Sequence, residues 1–176
     1  MHMVVQLPRV ARINYRAIAF VSIILFLGGW PVYTYFAETF SHGIHDRGGY
    51  KEVDLRAIGF FQFNSKTATL RDVPAAFRAL DGQKVLLTGL VKPFQQSGPD
   101  ITDFELLYSE SCQCGFSGPP QVQEKVFATA APGAKLRFDK YGYYEVMGRL
   151  QVTMKKDHGE VIEVYHLDAE SMKPVQ

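Results

Sequence analysis

The stretch YYEVMGRLQVTM, residues 143–154, alternates apolar and polar side chains more clearly than any other part of this 176-residue chain. Because successive side chains of a β-strand point to opposite faces, the alternation predicts a strand with one face in a hydrophobic core and the other in water. The apolar face holds Tyr144, Val146, Leu150, Val152 and Met154, and the polar face holds Glu145, Arg149, Gln151 and Thr153.

Four more segments have strand-type composition. Gly89 and Gly148 interrupt two of the strands, and a glycine inside a long strand permits the bend by which one strand serves two faces of a small barrel. Five strands with two such bends predict a mainly β domain, a small barrel of the oligonucleotide/oligosaccharide-binding (OB) type, with an open sandwich as the alternative. The four segments are 84–91 (KVLLTGLV), 104–109 (FELLYS), 125–129 (KVFAT) and 161–167 (VIEVYHL).

One short helix is predicted ahead of these strands. Asp72 is a suitable N-cap, Pro74 falls near the first turn, residues 75–80 continue the helix, and Asp81-Gly82 ends it.

Three further features carry local signals. Residues 53–63 (VDLRAIGFFQF) are apolar without a clean period, which fits a first strand or a short helix packed on the domain. Residues 155–159 (KKDHG) predict a hairpin connection. We interpret His166 as a strand residue whose ring is satisfied by hydrogen bonds.

The longest apolar run is RAIAFVSIILFLGGWPVYTYF, residues 16–36. About 20 helical residues, each rising about 1.5 Å, span a hydrocarbon core of about 30 Å, so the run predicts a transmembrane helix at residues 17–36. Arg9, Arg12 and Arg16 precede the span at residues 17–36, and no Lys or Arg follows it until Arg47. The positive-inside rule therefore places the N-terminus in the cytoplasm and the following domain in the periplasm.

A cleaved signal peptide is the competing interpretation of this run. The run is longer than a usual signal-peptide core, ends in large aromatics instead of a small-x-small cleavage site, and has no Cys for a lipid anchor. A buried helix of a soluble protein is disfavoured because no polar stripe interrupts residues 17–29. We therefore expect a single-pass signal anchor in the inner membrane.

The rest of the chain is long enough for one modest domain. The formal net charge of +1 and the pI of about 7.8 provide no basic field, so nucleic acid is not an expected partner. The predicted organisation is a cytoplasmic tail at 1–16, the anchor at 17–36, a glycine-bearing polar stalk at 37–51 and a periplasmic OB-like β domain at 52–176.

The loop SESCQCGFSGPPQVQ, residues 109–123, is long for a connection inside a compact domain and is therefore a functional candidate. It holds both cysteines of the chain, Cys112 and Cys114. Two thiolates one residue apart suit a soft metal such as Cu(I), with help from another chain, or a redox cycle through a strained disulfide. A local disulfide, or two small loop residues, is the simplest interpretation, and it requires no cofactor.

Several short motifs follow one another in order. They are LDGQKVLLTGLVKPF at 80–94, FELL at 104–107, a Cys-containing loop ending in Pro119-Pro120, a strand at Val126, GRL at 148–150 and VYHLDAES at 164–171. Their order resembles the bacterial family catalogued as domain of unknown function 3299, over roughly residues 50–173.

The resemblance implies a small, exported or membrane-tethered β domain without an agreed activity, in some members encoded beside transport systems with a metal connection. Members often show a His beside the loop cysteine and Asn-Gln after the prolines. Here Gly115 follows Cys114, and Gln123-Glu124 stand in the later place, which weakens a ligand role for the loop.

No nucleophile elbow, phosphate loop or helix-borne His pair with Glu is present, so we do not expect an enzyme. The leading hypothesis is an accessory or structural subunit that docks the periplasmic domain onto a larger membrane complex, a transporter or an electron-transfer assembly. Its partners are the lipid bilayer and other integral membrane subunits. The alternative is a periplasmic metal- or thiol-redox-handling protein that uses the Cys112/Cys114 loop.

Partner contacts are expected at the exit end of the anchor and on the long loop. Aromatic side chains provide large contact areas, and small residues let transmembrane helices approach closely. A plain interfacial belt explains the anchor aromatics equally well. The predicted partner-binding residues are Gly28, Gly29, Trp30, Tyr33, Tyr35 and Phe116.

Overall fold

The chain divides into two compact units, residues 1–40 and residues 41–176. In the first unit Ser22 and Gly29 are helical, and the rest of the predicted anchor lies outside the described residues. Within the described ranges we find no helix with the length and apolar character that a membrane crossing requires. The computed structural model describes Ser22, Gly29 and residues 43–95, 99–111 and 118–175.

The second unit is mainly β, as the sequence predicts. Its described residues form nine strands, two short α-helices and two 3₁₀ turns. The helices are α1 (Leu55–Ile58) and α2 (Ala75–Arg78), and the 3₁₀ turns are Leu70–Asp72 and Val122–Glu124. The strands are β1 (Ile44–Asp46), β2 (Lys51–Val53), β3 (Lys84–Pro93), β4 (Asp100–Ile101), β5 (Asp103–Leu107), β6 (Lys125–Ala130), β7 (Leu136–Arg137), β8 (Tyr143–Asp157) and β9 (Glu160–Pro174).

Five of these strands pair in a closed ring. β3 pairs antiparallel with β5, and β5 pairs antiparallel with β6. β6 then pairs parallel with β9, β9 pairs antiparallel with β8, and β8 returns antiparallel to β3. β2 lies parallel beside β3 and carries β1 at its outer edge, while β4 and β7 form a separate two-stranded sheet. The five strands of the ring are the five that the sequence predicts.

β3 closes the ring because it changes partner along its length. Residues 84–90 pair with β8, and residues 90–93 pair with β5. Gly89 lies at this change of partner, where a Cβ atom would come within 2.6 Å of the carbonyl oxygen of Leu107. The close approach of two strands at this point therefore requires glycine.

Gly148 has the corresponding position in β8. The register between β8 and β9 shifts at Met147/Gly148, and a Cβ atom on Gly148 would overlap the carbonyl oxygen of Asp168 and lie 2.9 Å from the Cα of Ala169. Both of these neighbours are backbone atoms of the paired strand, so neither moves away without distorting the ladder.

The buried side chains of all five ring strands form one hydrophobic cluster. The alternation predicted for β8 is confirmed: Tyr144, Val146, Leu150 and Val152 are buried, whereas Glu145, Arg149 and Thr153 are exposed. Met154 is half-buried against the same cluster.

α1 is held against the ring at both ends. The Asp54 side chain caps it by accepting a hydrogen bond from the Arg56 N–H at 2.8 Å, and Leu55 and Ile58 are buried. The Tyr165 hydroxyl of β9 donates to the carbonyl oxygen of Ile58 at 3.2 Å, and burial raises the pKa of this phenol above its ordinary value. The segment 53–63 is thus the end of β2, this helix and the loop that follows it.

Two local predictions need correction. The predicted helix is shorter, because α2 ends at Arg78, and its N-cap is Pro74. Asp72 caps the preceding 3₁₀ turn instead: its carboxylate accepts from the Thr69 N–H at 2.8 Å, which lowers the pKa of Asp72. The hairpin predicted at 155–159 is present, and its turn needs only His158 and Gly159, both with positive φ.

The segment predicted as a stalk, residues 37–51, contains ordered structure from Gly43 onward. β1 lies in it and pairs with β2, and the carbonyl oxygen of Gly43 accepts from the Asp54 N–H at 2.8 Å. These contacts belong to the same compact unit as the ring. The sequence did not predict them because β1 has only three residues and is surrounded by glycines.

The close approach at Gly148 predicts that Gly148→Ala lowers the free energy of unfolding by about 2 kcal/mol or more, because the added methyl group meets backbone on the paired strand. Gly142→Ala is the matched control, since a Cβ atom there meets nothing within 4 Å, and its effect should stay within about 0.5 kcal/mol. Urea unfolding of both variants measures the difference. Equal stability of the two variants would contradict the backbone contact described for Gly148.

Candidate functional site

Most of the residues singled out from the sequence lie outside the described part of the chain. This is true of Cys112, Cys114 and Phe116 in the long loop, and of Gly28, Trp30, Tyr33 and Tyr35 in the anchor. Gly29 is helical and exposed in the first unit. The roles given to these residues stay predictions, and the described surface of the second unit provides new candidates.

Three tyrosines, one arginine and one glutamate lie together on the surface beside α1, in a group that we call the tyrosine patch. Tyr108 follows β5, Tyr143 begins β8, and Tyr141 precedes β8 by two residues. Tyr141 is 53% exposed and Tyr143 is 49% exposed. The patch comprises Arg56, Tyr108, Glu110, Tyr141 and Tyr143.

Direct contacts join the members of the tyrosine patch. The Tyr143 hydroxyl donates to the carbonyl oxygen of Tyr108 at 3.1 Å, and the Tyr141 hydroxyl donates to the Glu110 carboxylate. The guanidinium carbon of Arg56 lies 5.9 Å from the centre of the Tyr108 ring, a cation–π distance. These contacts hold the rings in fixed positions while much of their surface stays exposed.

The strand pairing explains why these residues meet. Leu90 of β3 pairs with Leu107 on one side and with Tyr143 on the other. The end of β5 and the start of β8 therefore lie on either side of one β3 residue, although Leu107 and Tyr143 are far apart in sequence. The helix α1 contributes Arg56, whose guanidinium group lies over the Tyr108 ring.

The hydrogen bond to Glu110 changes the chemistry of Tyr141. It stabilises the protonated phenol, because ionisation would place two negative charges side by side. This hydrogen bond, followed by desolvation and the charge of Glu110, raises the pKa of Tyr141 from 10.0 to about 12. At neutral pH Tyr141 is a hydrogen-bonded neutral ring, which suits a binding contact.

A concave surface lies after the C-terminal end of α1, and we call it the phenylalanine groove. It has a volume of about 600 Å³ and is open to solvent. Phe60 is 75% exposed, and the rings of Phe61 and Phe63 pack edge to face with centres 5.8 Å apart. The side chains that define the groove are Phe60, Phe61, Phe63, Gln121, Gln123 and Glu124.

The 3₁₀ turn at Val122–Glu124 forms the polar wall of the phenylalanine groove. The Glu124 carboxylate accepts from the Gln121 N–H at 2.7 Å and closes the turn. The Gln123 side-chain amide donates to the Gln121 side-chain oxygen, also at 2.7 Å. Gly59, at the end of α1, approaches this turn so closely that a Cβ atom would lie 2.8 Å from the Cα of Glu124.

A cluster of polar side chains lies on the outer face of β8 and β9. Glu163, although buried, accepts from Lys155 at 3.0 Å, and one of its oxygens lies 2.9 Å from Nδ1 of His166. Asp168 accepts from Gln151 at 2.7 Å. These side chains are satisfied by one another, which agrees with the interpretation of His166. Among the described residues, no group of His, Cys, Asp and Glu has the arrangement needed to hold a metal ion.

Sequence reasoning missed both the tyrosine patch and the phenylalanine groove. It noted the FFQF run but treated it as a packing segment, and it passed over Tyr141 and Tyr143. The available signal was the position of the tyrosines at strand ends, where a side chain is held by the sheet and still reaches solvent. Assigning them to one surface required the pairing of β3 with both β5 and β8.

A solved protein structure is similar to this chain over part of its length. A crystal structure of a DUF3299 family protein from Pseudomonas aeruginosa PAO1 matches this chain with a TM-score of 0.43 and 20% sequence identity. The chain resembles that family. The match covers 56% of this chain and 65% of the matched chain, so about one third of the length of the matched chain has no counterpart in it. No protein-family model and no curated protein matches the sequence.

The DUF3299 resemblance carries no activity with it, so function has to be argued from the surfaces of this chain. The tyrosine patch and the phenylalanine groove are its two exposed aromatic surfaces next to α1. Each combines apolar rings with a few fixed polar groups, the composition of surfaces that bind another molecule.

The Tyr141–Glu110 hydrogen bond predicts that Glu110→Gln lowers the pKa of Tyr141 from about 12 toward its ordinary value of 10. At a pH of about 11, Tyr141 should then be mostly protonated in the parent protein and mostly ionised in the variant. Carbon NMR of ring-labelled tyrosine reads each phenol separately.

Glu145→Gln is the matched control for this titration, because Glu145 is an exposed carboxylate elsewhere on β8. It should leave the pKa of Tyr141 unchanged, and the buried Tyr165 should stay protonated in all three proteins. An unchanged pKa of Tyr141 in Glu110→Gln would show that the hydrogen bond does not control this phenol.

Proposed function

We propose that this protein is an accessory subunit that docks a small OB-like domain onto a larger membrane protein complex, a transporter or an electron-transfer assembly. It acts by binding and catalyses no reaction. The observation that carries the proposal is the tyrosine patch. Tyrosine and arginine are over-represented among the residues that dominate binding energy at protein interfaces.

The rigidity of the patch strengthens this proposal. Tyr108 and Tyr143 are joined by a hydrogen bond, and Tyr141 is tied to Glu110. A ring that is already fixed loses little side-chain entropy when a partner covers it, so more of the contact energy remains for binding. The hydroxyl protons of Tyr141 and Tyr143 are already donated within the patch, so a partner can cover these rings without burying an unpaired donor.

The closed ring of five strands supports the OB-like barrel as the fold of this domain. In that fold the second and third strands form the face that binds oligonucleotides and oligosaccharides. The corresponding strands here are β5 and β6, and their outer face carries Asp103 and Glu105, with Lys125 paired to Glu105 at 3.3 Å. Lys92 of β3 lies opposite Glu105, so this face has two lysines beside two carboxylates and lacks the basic excess that binds a phosphate backbone, which supports a protein partner over nucleic acid.

The membrane part of the proposal rests on the apolar run at residues 17–36. With the N-terminus in the cytoplasm and the anchor in the inner membrane, the domain lies in the periplasm. There it faces the outer surface of integral membrane subunits. Gly28 and Gly29 would let the anchor helix pack closely against another helix, and Trp30, Tyr33 and Tyr35 would add contacts at the membrane surface.

Metal or thiol-redox handling by Cys112 and Cys114 is the alternative function. It uses residues outside the described part of the chain, so its support is the sequence alone. The two proposals differ in what they require. Docking requires the tyrosine patch and does not require the thiols, whereas metal or redox handling requires both thiols.

The docking proposal predicts that Tyr141→Ala combined with Tyr143→Ala reduces copurification of membrane subunits in mild detergent by at least about tenfold, because both side chains belong to the interface. Quantitative mass spectrometry of the purified complex measures the recovery. Phe94→Ala is the matched control, since Phe94 is also an exposed aromatic residue and follows β3 away from the patch.

The same experiment includes the variant Cys112→Ser with Cys114→Ser, which should copurify its partners as the parent protein does. Parent-level recovery with the tyrosine variant would contradict the docking role of the patch. A loss of partners in the cysteine variant together with normal recovery in the tyrosine variant would favour the alternative function.

A further inference from the structure

The phenylalanine groove contains a polar atom that the fold leaves unsatisfied. Gln123 is only 3% exposed, and its side-chain oxygen Oε1 has no hydrogen-bond partner. Burying an acceptor without a partner costs free energy, and such atoms are rare in folded proteins. The Gln123 amide nitrogen already donates to Gln121, so the unsatisfied group is the acceptor.

The remaining wall of the groove limits what can supply the missing donor. Three phenylalanine rings provide apolar and π surface on one side. Glu124, on the polar side, is the ionisable side chain in the lining of this groove, and it is acidic. A ligand that satisfies Gln123 therefore carries a hydrogen-bond donor, and a positive charge on that donor complements both the carboxylate and the ring faces.

We infer that the phenylalanine groove binds an arginine side chain presented by a partner polypeptide. A guanidinium group is planar, stacks on aromatic faces, and presents several N–H donors in a fixed arrangement. One edge donates to Gln123 Oε1 and approaches the Glu124 carboxylate, while the plane lies against the phenylalanine rings. The aliphatic part of the arginine side chain covers the exposed face of Phe60.

A small rearrangement gives the ligand access to Gln123. Its oxygen is covered in the chain without ligand, and the terminal torsion of a glutamine side chain is broad and roughly two-fold, so the amide turns toward the groove at low cost. The rotation pairs the unsatisfied acceptor with the ligand and releases the 2.7 Å hydrogen bond from the Gln123 amide nitrogen to Gln121 Oε1. Gln121 lines the same groove, so a second N–H of the guanidinium replaces the donor that Gln121 loses. Binding thus removes an unfavourable feature of the free protein, which is the reason to expect a ligand at this place.

This inference goes beyond the docking proposal and does not depend on it. The groove and the tyrosine patch share no residue. Tyr141→Ala with Tyr143→Ala should therefore leave arginine binding unchanged even where it releases the membrane subunits. A result that contradicts one of the two proposals therefore leaves the other intact.

The test uses the full chain in detergent micelles and three ligands, N-acetyl-arginine amide, N-acetyl-citrulline amide and N-acetyl-norleucine amide. Citrulline keeps the N–H donors and removes the charge, and norleucine removes both. Saturation-transfer NMR titration should give arginine about tenfold tighter binding than norleucine, with citrulline between them. Equal binding of arginine and norleucine would overturn the inference, and equal binding of arginine and citrulline would overturn the role of charge.

Gln123→Leu connects the preference to the unsatisfied acceptor. It should abolish the difference between arginine and norleucine, because the acceptor that recognises the N–H donor is removed. Gln123→Met, an unbranched residue of similar length, provides a second variant where leucine disturbs packing. Gln151→Leu, on the outer face of β8, is the matched control and should keep the preference. A preference for arginine that persists in both Gln123 variants would overturn the inference.

Discussion

The architecture of this protein depends on the strand β3, which has β8 as its partner over residues 84–90 and β5 over residues 90–93. The change of partner brings three strands together at one point, and the backbone of β5 then passes so close to Gly89 that a side chain would not fit. Closure of the ring and formation of the tyrosine patch share this cause. The pairing that closes the ring also places the end of β5 beside the start of β8, and the tyrosine patch is built on those two ends.

The sequence predicts the β-strands of the ring well. The alternation in residues 143–154 gives the direction of every side chain on β8, because a strand has a period of two and one of its faces is buried. The positions of the other four ring strands follow from their strand-type composition. Their ends are less well predicted: β9 continues to Pro174, well past the expected end, because its later residues pair with β8 and have little hydrophobic signal of their own.

The functional surfaces could not be predicted in the same way. Tyr108 and Tyr143 are 35 residues apart, and the hydrogen bond between them exists only because β3 has two partners. Gln123 is similar, since nothing in its local sequence indicates that its side chain is buried with an unsatisfied oxygen. Both features arise from tertiary contacts, whereas strand periodicity is a local property. The long loop at 109–123, the functional candidate of the sequence, lies between the two surfaces along the chain, and its role stays a prediction.

Both surfaces are positioned by α1, a helix of only four residues. It is held by the Asp54 cap at its start and by the Tyr165 hydroxyl at its end, so Arg56 within the helix and Phe60 just after it have fixed places. This arrangement suits a binding module, in which a folded core presents preformed contacts to a larger partner.

The most direct test of the docking account is photocrosslinking in intact cells. A photoreactive phenylalanine analogue replaces Tyr141 in one protein and Phe94 in another, and adducts are identified by mass spectrometry. The account predicts a discrete adduct with an integral membrane subunit from the position of Tyr141 and none from the position of Phe94. Adducts from the position of Phe94 alone, or no adduct from either position, would contradict it.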